Sequence, residues 1–229
     1  MREENYSIQA SARDFMYKVY GWMSIGLAVT AGVAYYIAST PAIYQTIFKS
    51  PVLLFGIIAI QFGAVMFLGW KINTLSYLEA ITVFMIYAAL VGVTVSSVLI
   101  IYTFSSVFLA FAIASGMFSS MALYGYFTGS DLTSMGNVLL MGLWGIIIAM
   151  VANMWFQSPA MQYWISIAAV GVFTLLTAYD TQKIKYLGQS MMHADSESKG
   201  KASIMGALTL YLDFINLFLH LVRLFGKRK

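Results

Sequence analysis

Apolar residues run along this chain in long unbroken blocks, and the polar residues gather between them. The blocks cover approximately residues 20–37, 51–70, 78–100, 104–127 and 135–156, a sixth begins at Ser158 and Pro159, and the last covers 203–224. A helix needs about 20 apolar residues to cross a bilayer core, so the pattern predicts seven transmembrane helices. Unpaired backbone groups are costly in lipid, and the strand-length alternation of a barrel is missing, so the spans must be helical. Ser50 before Pro51 and Ser158 before Pro159 give a cap followed by proline at the first helical position. All three prolines fall at connections, which leaves the spans free of proline kinks. The expected architecture is all-α and polytopic, one integral membrane domain over 1–229. It has a short polar segment at 1–19 and a polar loop at 188–201 between helices six and seven. Gly125 with Gly129, and Gly116 with Ser120, are small pairs at four-residue spacing that would let helix backbones approach.

Composition agrees with that pattern. Of 229 residues 60% are hydrophobic and 10% charged, against about 25% charged in soluble domains, which excludes a soluble globule. The net charge of +4 resides mostly at the chain ends and in one late loop, so it reports topology rather than a nucleic-acid surface. No cysteine is present, which removes disulfide, thiolate-metal and thiol-nucleophile chemistry. A removable signal peptide is not expected, because charges are spread over the first eighteen residues. One side of the membrane would carry Arg2, Arg13, Lys18, Lys71, Lys183, Lys185, Lys199 and Lys201. The other would carry Lys49, Arg223, Lys227, Arg228 and Lys229. That excess favours a cytoplasmic N-terminus, with the basic tail pulling the other way.

Three acids fall inside the spans: Glu79, Asp180 and Asp213. A charge at the bilayer centre costs at least ~2.5–3.5 kcal/mol, which makes these positions informative. Glu79 lies near the start of its span, where it would reach the headgroups, and is a secondary candidate. Thr209, Asp213, Asn216 and His220 recur at spacings of four, three and four, and so share one face of the last helix; Thr174, Thr177, Asp180 and Thr181 follow the same rule on the sixth. If the helices end near Gly188 and begin near Lys201, the two aspartates differ in axial height by roughly 6 Å. Two carboxyls in a partly dry site would share a proton, the behaviour of a pH sensor. The competing reading has each aspartate fixing helix packing on its own.

These residues carry a resemblance. AYDTQKIK from Ala178 to Lys185, the run LYGYFTGSDLTSMGNVLLMGLWGIIIAMVAN from Leu123 to Asn153, and LYLDFINLFL from Leu210 to Leu219 resemble the transmembrane Bax inhibitor motif family, especially its bacterial members. The resemblance implies six helices around a central seventh, in a bacterial inner membrane, acting as a pH-sensitive calcium leak channel. It implies that Asp180 and Asp213 are the family's paired aspartates, offering transient ligands to Ca²⁺ as the transported ion. Thr177, Thr209, Asn216, His220 and Glu79 are the further pore or gating candidates. Some members latch the first aspartate with a basic residue of the second helix; here the candidate is Lys71, set far along that helix.

Other classes fare less well. An intramembrane aspartyl protease needs GxGD around its second aspartate, whereas Asp213 stands in LYLDF. A retinal photoreceptor needs a lysine within the last helix, a membrane serine protease needs GxSG, and a G-protein-coupled receptor needs larger loops. No phosphate-cradling glycine loop occurs. The expectation is therefore a non-enzyme without a cofactor, whose partners are lipid, protons and calcium. The alternative is a regulatory protein binding another membrane protein, such as a protease or a cell-death regulator. His193, Asp195 and Glu197 read as a solvated linker, Asp131 as a cap for the fifth span, and Gln61, Asn137, Asn153 and Gln157 as bridges between helices.

Overall fold

The computed structural model describes the backbone of residues 2–229 and the side chains of residues 8–229. Arg2, counted above for topology, has its side chain outside the described residues. Eight helices follow in order: α1 (Arg2–Ala38), α2 (Pro41–Lys49), α3 (Pro51–Lys71), α4 (Tyr77–Ile101), α5 (Phe104–Phe127), α6 (Thr133–Phe156), α7 (Pro159–Ser190) and α8 (Ser196–Phe225). Seven of them are long and apolar enough to span a membrane. Among the described residues there is no strand, only an isolated bridge between Tyr102 and Arg228. The chain is an all-α, polytopic membrane protein. The last span is the most buried of the seven, 67% of its apolar window against 6% for α3 and 11% for α6.

Three boundaries differ from expectation. The segment 1–19 is helical where described and continuous with the first span, because its polar residues still favour a helix once water faces it. The region 188–201 is mostly helix: α7 runs on to Ser190 and α8 restarts at Ser196, leaving residues 191–195 between them. Asp195 makes that restart, its Oδ1 accepting the Ser198 N–H at 2.8 Å. The third difference is α2, nine residues with no buried side chain.

The chain divides into two compact units. One comprises Met1–Ile101 and Gly188–Leu208. In it α1 lies along α4, because Gly92 leaves no room for a side chain: a Cβ there would stand 2.8 Å from both the Thr30 oxygen and Val33 Cβ. The Thr30 hydroxyl donates to the Ala88 carbonyl at 2.9 Å. Gln61 ties α3 to α4 through Nε2 to the Leu90 carbonyl at 2.8 Å. Ser50 caps α3, its hydroxyl accepting from the Leu53 N–H at 3.4 Å. The α3–α4 connection is held by the first turns of α8: the Glu197 carboxylate accepts the Tyr77 N–H, and Lys201 donates to the Asn73 carbonyl at 3.2 Å. Trp22 Nε1 donates to the Tyr77 hydroxyl at 2.9 Å.

The second unit comprises Tyr102–Leu187 and Thr209–Lys229. Phe111 and Phe118 of α5 meet Phe214 of α8 edge to face at 5.6 Å, the geometry aromatic quadrupoles prefer. At the α6–α7 turn Gln157 takes φ 47°, a left-handed conformation costing about 1–3 kcal/mol. Asn153 supports it, its carbonyl accepting the Gln157 N–H at 2.8 Å and its Oδ1 the Ser158 N–H at 3.0 Å. Ser158 caps α7 through the Met161 N–H at 3.3 Å. The tail folds back on the α4–α5 connection: the Thr103 N–H donates to the Lys227 carbonyl at 2.9 Å, and the Lys227 N–H to the Ser106 hydroxyl at 3.0 Å.

Candidate functional site

The stretch from Ala178 to Lys185 occupies the C-terminal half of α7, and each part of it has a structural task in the second unit. The backbone of α7 comes against α5 at Gly125: a Cβ there would lie 2.8 Å from the Ala178 carbonyl carbon and 2.9 Å from its Cα, closer still to its oxygen. Gly136 of α6 likewise makes room for the Tyr179 ring, 2.7 Å from where a Cβ would stand. Gln182, 3% exposed, clamps the α5–α6 connection: Oε1 accepts the Leu132 N–H and Nε2 donates to the Ser130 carbonyl, both at 2.8 Å. Lys185 donates to the Tyr126 carbonyl at 2.7 Å, satisfying an acceptor in the last turn of α5. Asp131 bonds the Thr133 N–H at 2.9 Å, and those bonds to Thr133, side chain first, hold its exposed carboxyl below the usual range.

Within this frame Asp180 and Asp213 come together. Both are buried, 9% and 4% exposed, and their carboxyls are hydrogen-bonded to one another. Two carboxylates offer only acceptors, so the bond requires one proton held by the pair. The buried Oδ2 of Asp213 has no hydrogen-bond partner among the described residues, so its surroundings do not stabilise a second negative charge there. The nearest stabilising charge is Lys183, one turn along α7 from Asp180. Neither its role nor that of Gln182 enters the expectations above, although Lys183 stands at the three-residue spacing that signals a shared helix face. Because the helices are longer than expected, Asp180 lies ten residues before the end of α7 and Asp213 seventeen after the start of α8. The 6 Å axial offset expected becomes roughly 10 Å by count, and the carboxyls nonetheless meet.

The other expected residues divide. Thr177 is buried and its hydroxyl bonds its own helix at the Phe173 carbonyl, 2.8 Å away. Asn216 is half-buried and donates to the Leu212 carbonyl at 2.8 Å; Thr209 is half-buried at the edge of the unit. His220 is buried and stacked on Phe173, with centroids 6.3 Å apart, and its Nδ1 has no hydrogen-bond partner. It stands seven residues from Asp213, roughly 10 Å along the helix. Glu79 and Lys71 belong to the other unit. Glu79 forms a capping box: Oε2 accepts the Ser76 N–H at 2.7 Å and the Ser76 hydroxyl at 2.9 Å, while the Glu79 N–H donates to that hydroxyl at 3.3 Å. The Lys71 ammonium lies over the Trp70 ring, 5.0 Å from its centroid. Among the described residues no group of three or more acidic or histidine side chains forms a metal cluster.

Comparison with known proteins places the chain in a family. The family model described as "Inhibitor of apoptosis-promoting Bax1" matches residues 12–229. The chain is 45% identical over 221 residues to the inner membrane protein YbhL of Escherichia coli K12, covering 96% of this chain and 94% of that protein. It is 45% identical over 215 residues to a Borreliella burgdorferi protein, covering 94% and 92%. It is 38% identical over 228 residues to RP147 of Rickettsia prowazekii, covering 99% and 94%. With the motif of α7, the last helix and all seven spans inside these matches, the chain belongs to the Bax inhibitor family of membrane proteins and is a bacterial-type member of it.

Proposed function

We propose that the chain is a calcium leak channel of the bacterial inner membrane, gated by the proton that Asp180 and Asp213 share. The observation that carries this reading is the buried carboxyl-to-carboxyl hydrogen bond in the second unit. With one proton present, the bond joins α7 to α8. When both acids ionise, two like charges about 4 Å apart repel by roughly 4 kcal/mol at an effective dielectric of 20, enough to change which of two helix arrangements is populated. Lys183 offsets part of that repulsion on the Asp180 side.

The same ionisation turns the pair into hard oxygen ligands. Two carboxyls fall short of the six to eight oxygens Ca²⁺ takes, so the pair suits a passing ion rather than a resident one. The ion is cargo, no cofactor is called for, and the activity is transport rather than catalysis. Membership in the family supports this reading, as does an inner membrane relative of nearly equal length.

The test is calcium flux into proteoliposomes at a series of pH values from about 6 to 8, since the two carboxyls titrate as a pair. The parent protein should leak more as pH rises, and the Asp180→Asn, Asp213→Asn double variant should lose that dependence. A double variant with the parent's pH profile would end the proposal.

A further inference from the structure

A second site lies in the other unit, away from the aspartate pair. A cavity of about 380 Å³ opens between the first helix, the end of α7 and the start of α8, within the range of small-ligand sites. Its polar lining is cationic: Lys18 and Lys199 both face it, together with the hydroxyl-bearing Ser11 and Ser196. Asp14 also lines it, but its carboxylate is engaged by Arg13 at 3.9 Å, the one ion pair found among the described residues. Among the described residues neither lysine has a carboxylate within ion-pair distance. Lys199 uses one N–H on the Met192 carbonyl at 2.8 Å and keeps two others. The remaining wall is apolar, formed by Phe15, Met191 and Met192. Phe15 is held there because Gly188 has no side chain; a Cβ at Gly188 would stand 2.9 Å from its ring.

Depth narrows the occupant. Lys18 immediately precedes the first apolar run and Gly188 lies past the apolar part of α7, so the cavity sits where hydrocarbon gives way to headgroups. We infer that it holds the headgroup of an anionic phospholipid, the phosphodiester facing Lys18 and Lys199, and the glycerol and first methylenes lying along Phe15 and the two methionines. Two lysines against the one carboxylate of Asp14 leave a net positive lining that favours an anionic lipid over a zwitterionic one. A basic pocket at the edge of the spans is a recognised form of lipid recognition.

The test titrates the full-length purified protein in detergent with dioleoyl phosphatidylglycerol or phosphatidylcholine and counts bound lipid by native mass spectrometry. Phosphatidylglycerol should bind the more tightly; Lys18→Gln should weaken it about five-fold, and adding Lys199→Gln about 25-fold in total. Lys49→Gln, on exposed α2, should change nothing. Because Lys199 also anchors the 191–195 connection, the Lys18→Gln variant alone suffices to decide. Equal binding of both lipids, or phosphatidylglycerol binding unchanged in Lys18→Gln, overturns the assignment. Displacement of the lipid by millimolar glycerol phosphate overturns it in favour of a soluble phosphate.

Discussion

Two glycines of the same helix separate close packing from mere glycine content. In α5, Gly125 is buried against the α7 backbone beside Asp180, whereas Gly116 is exposed with nothing within 4 Å of where a Cβ would go. Gly125→Ala places a methyl 2.8–2.9 Å from backbone carbons of Ala178, where ordinary contacts begin at 3.4 Å. The two helix backbones must therefore part by about 0.6 Å or more, and neither is a flexible side chain that could swing aside. Overpacking of this kind costs about 1–3 kcal/mol. For a chain of this size, that lowers the melting temperature by about 2–12 °C. Gly116→Ala meets no obstacle and gains helix propensity of about 1 kcal/mol, raising it by roughly 2–4 °C. The chain's five tryptophans report both by intrinsic fluorescence during a thermal ramp in detergent. If Gly125→Ala melts at or above Gly116→Ala, the contact between α5 and α7 is not the one described.

Three further outcomes are expected. Gln182→Ala leaves the Leu132 N–H and the Ser130 carbonyl without their partner, costing about 1–3 kcal/mol; hydrogen exchange should show Leu132 losing protection first. Asp195, held below the usual carboxylate range first by the Ser198 backbone N–H, should secure the start of α8 above its ordinary pKa and release it as pH falls through the lowered value. The protection factor at Ser198, with the intrinsic slowing of exchange in acid divided out, should thus fall with pH, and Asp195→Asn should flatten that dependence. Gly226→Ala pushes a methyl to 2.5 Å from the Tyr102 ring, so protection of Thr103, whose N–H bonds Lys227, should fall.

The spans were legible because lipid leaves the backbone no alternative to helix, and the caps at Ser50 and Ser158 because a hydroxyl before proline has one use there. Asp180 and Asp213 were legible as buried acids at helical spacing within apolar runs. What sits around them was not. Gln182 acts on Ser130 and Leu132, about fifty residues away, and no local pattern announces an amide that closes a distant connection. Lys183 was hidden by its setting among lysines that count equally for topology. Glu79 carried its own explanation, since Ser76 three residues earlier completes a capping box. The polar ends of α7 and α8 looked like loop because a helix in water needs no apolar stripe.

The nine residues of α2 have a mechanical consequence. Ile43, Tyr44, Ile47 and Phe48 are half-buried while Gln45, Thr46 and Lys49 are exposed, so the helix has one greasy flank and suits lying flat at the bilayer surface. It joins the first span to α3, whose 21 residues reach roughly 31 Å, about one hydrocarbon thickness. In a bilayer thinner than that length α3 must lean to keep its apolar residues in hydrocarbon, and the short α2 at its start is the element that such a tilt would move.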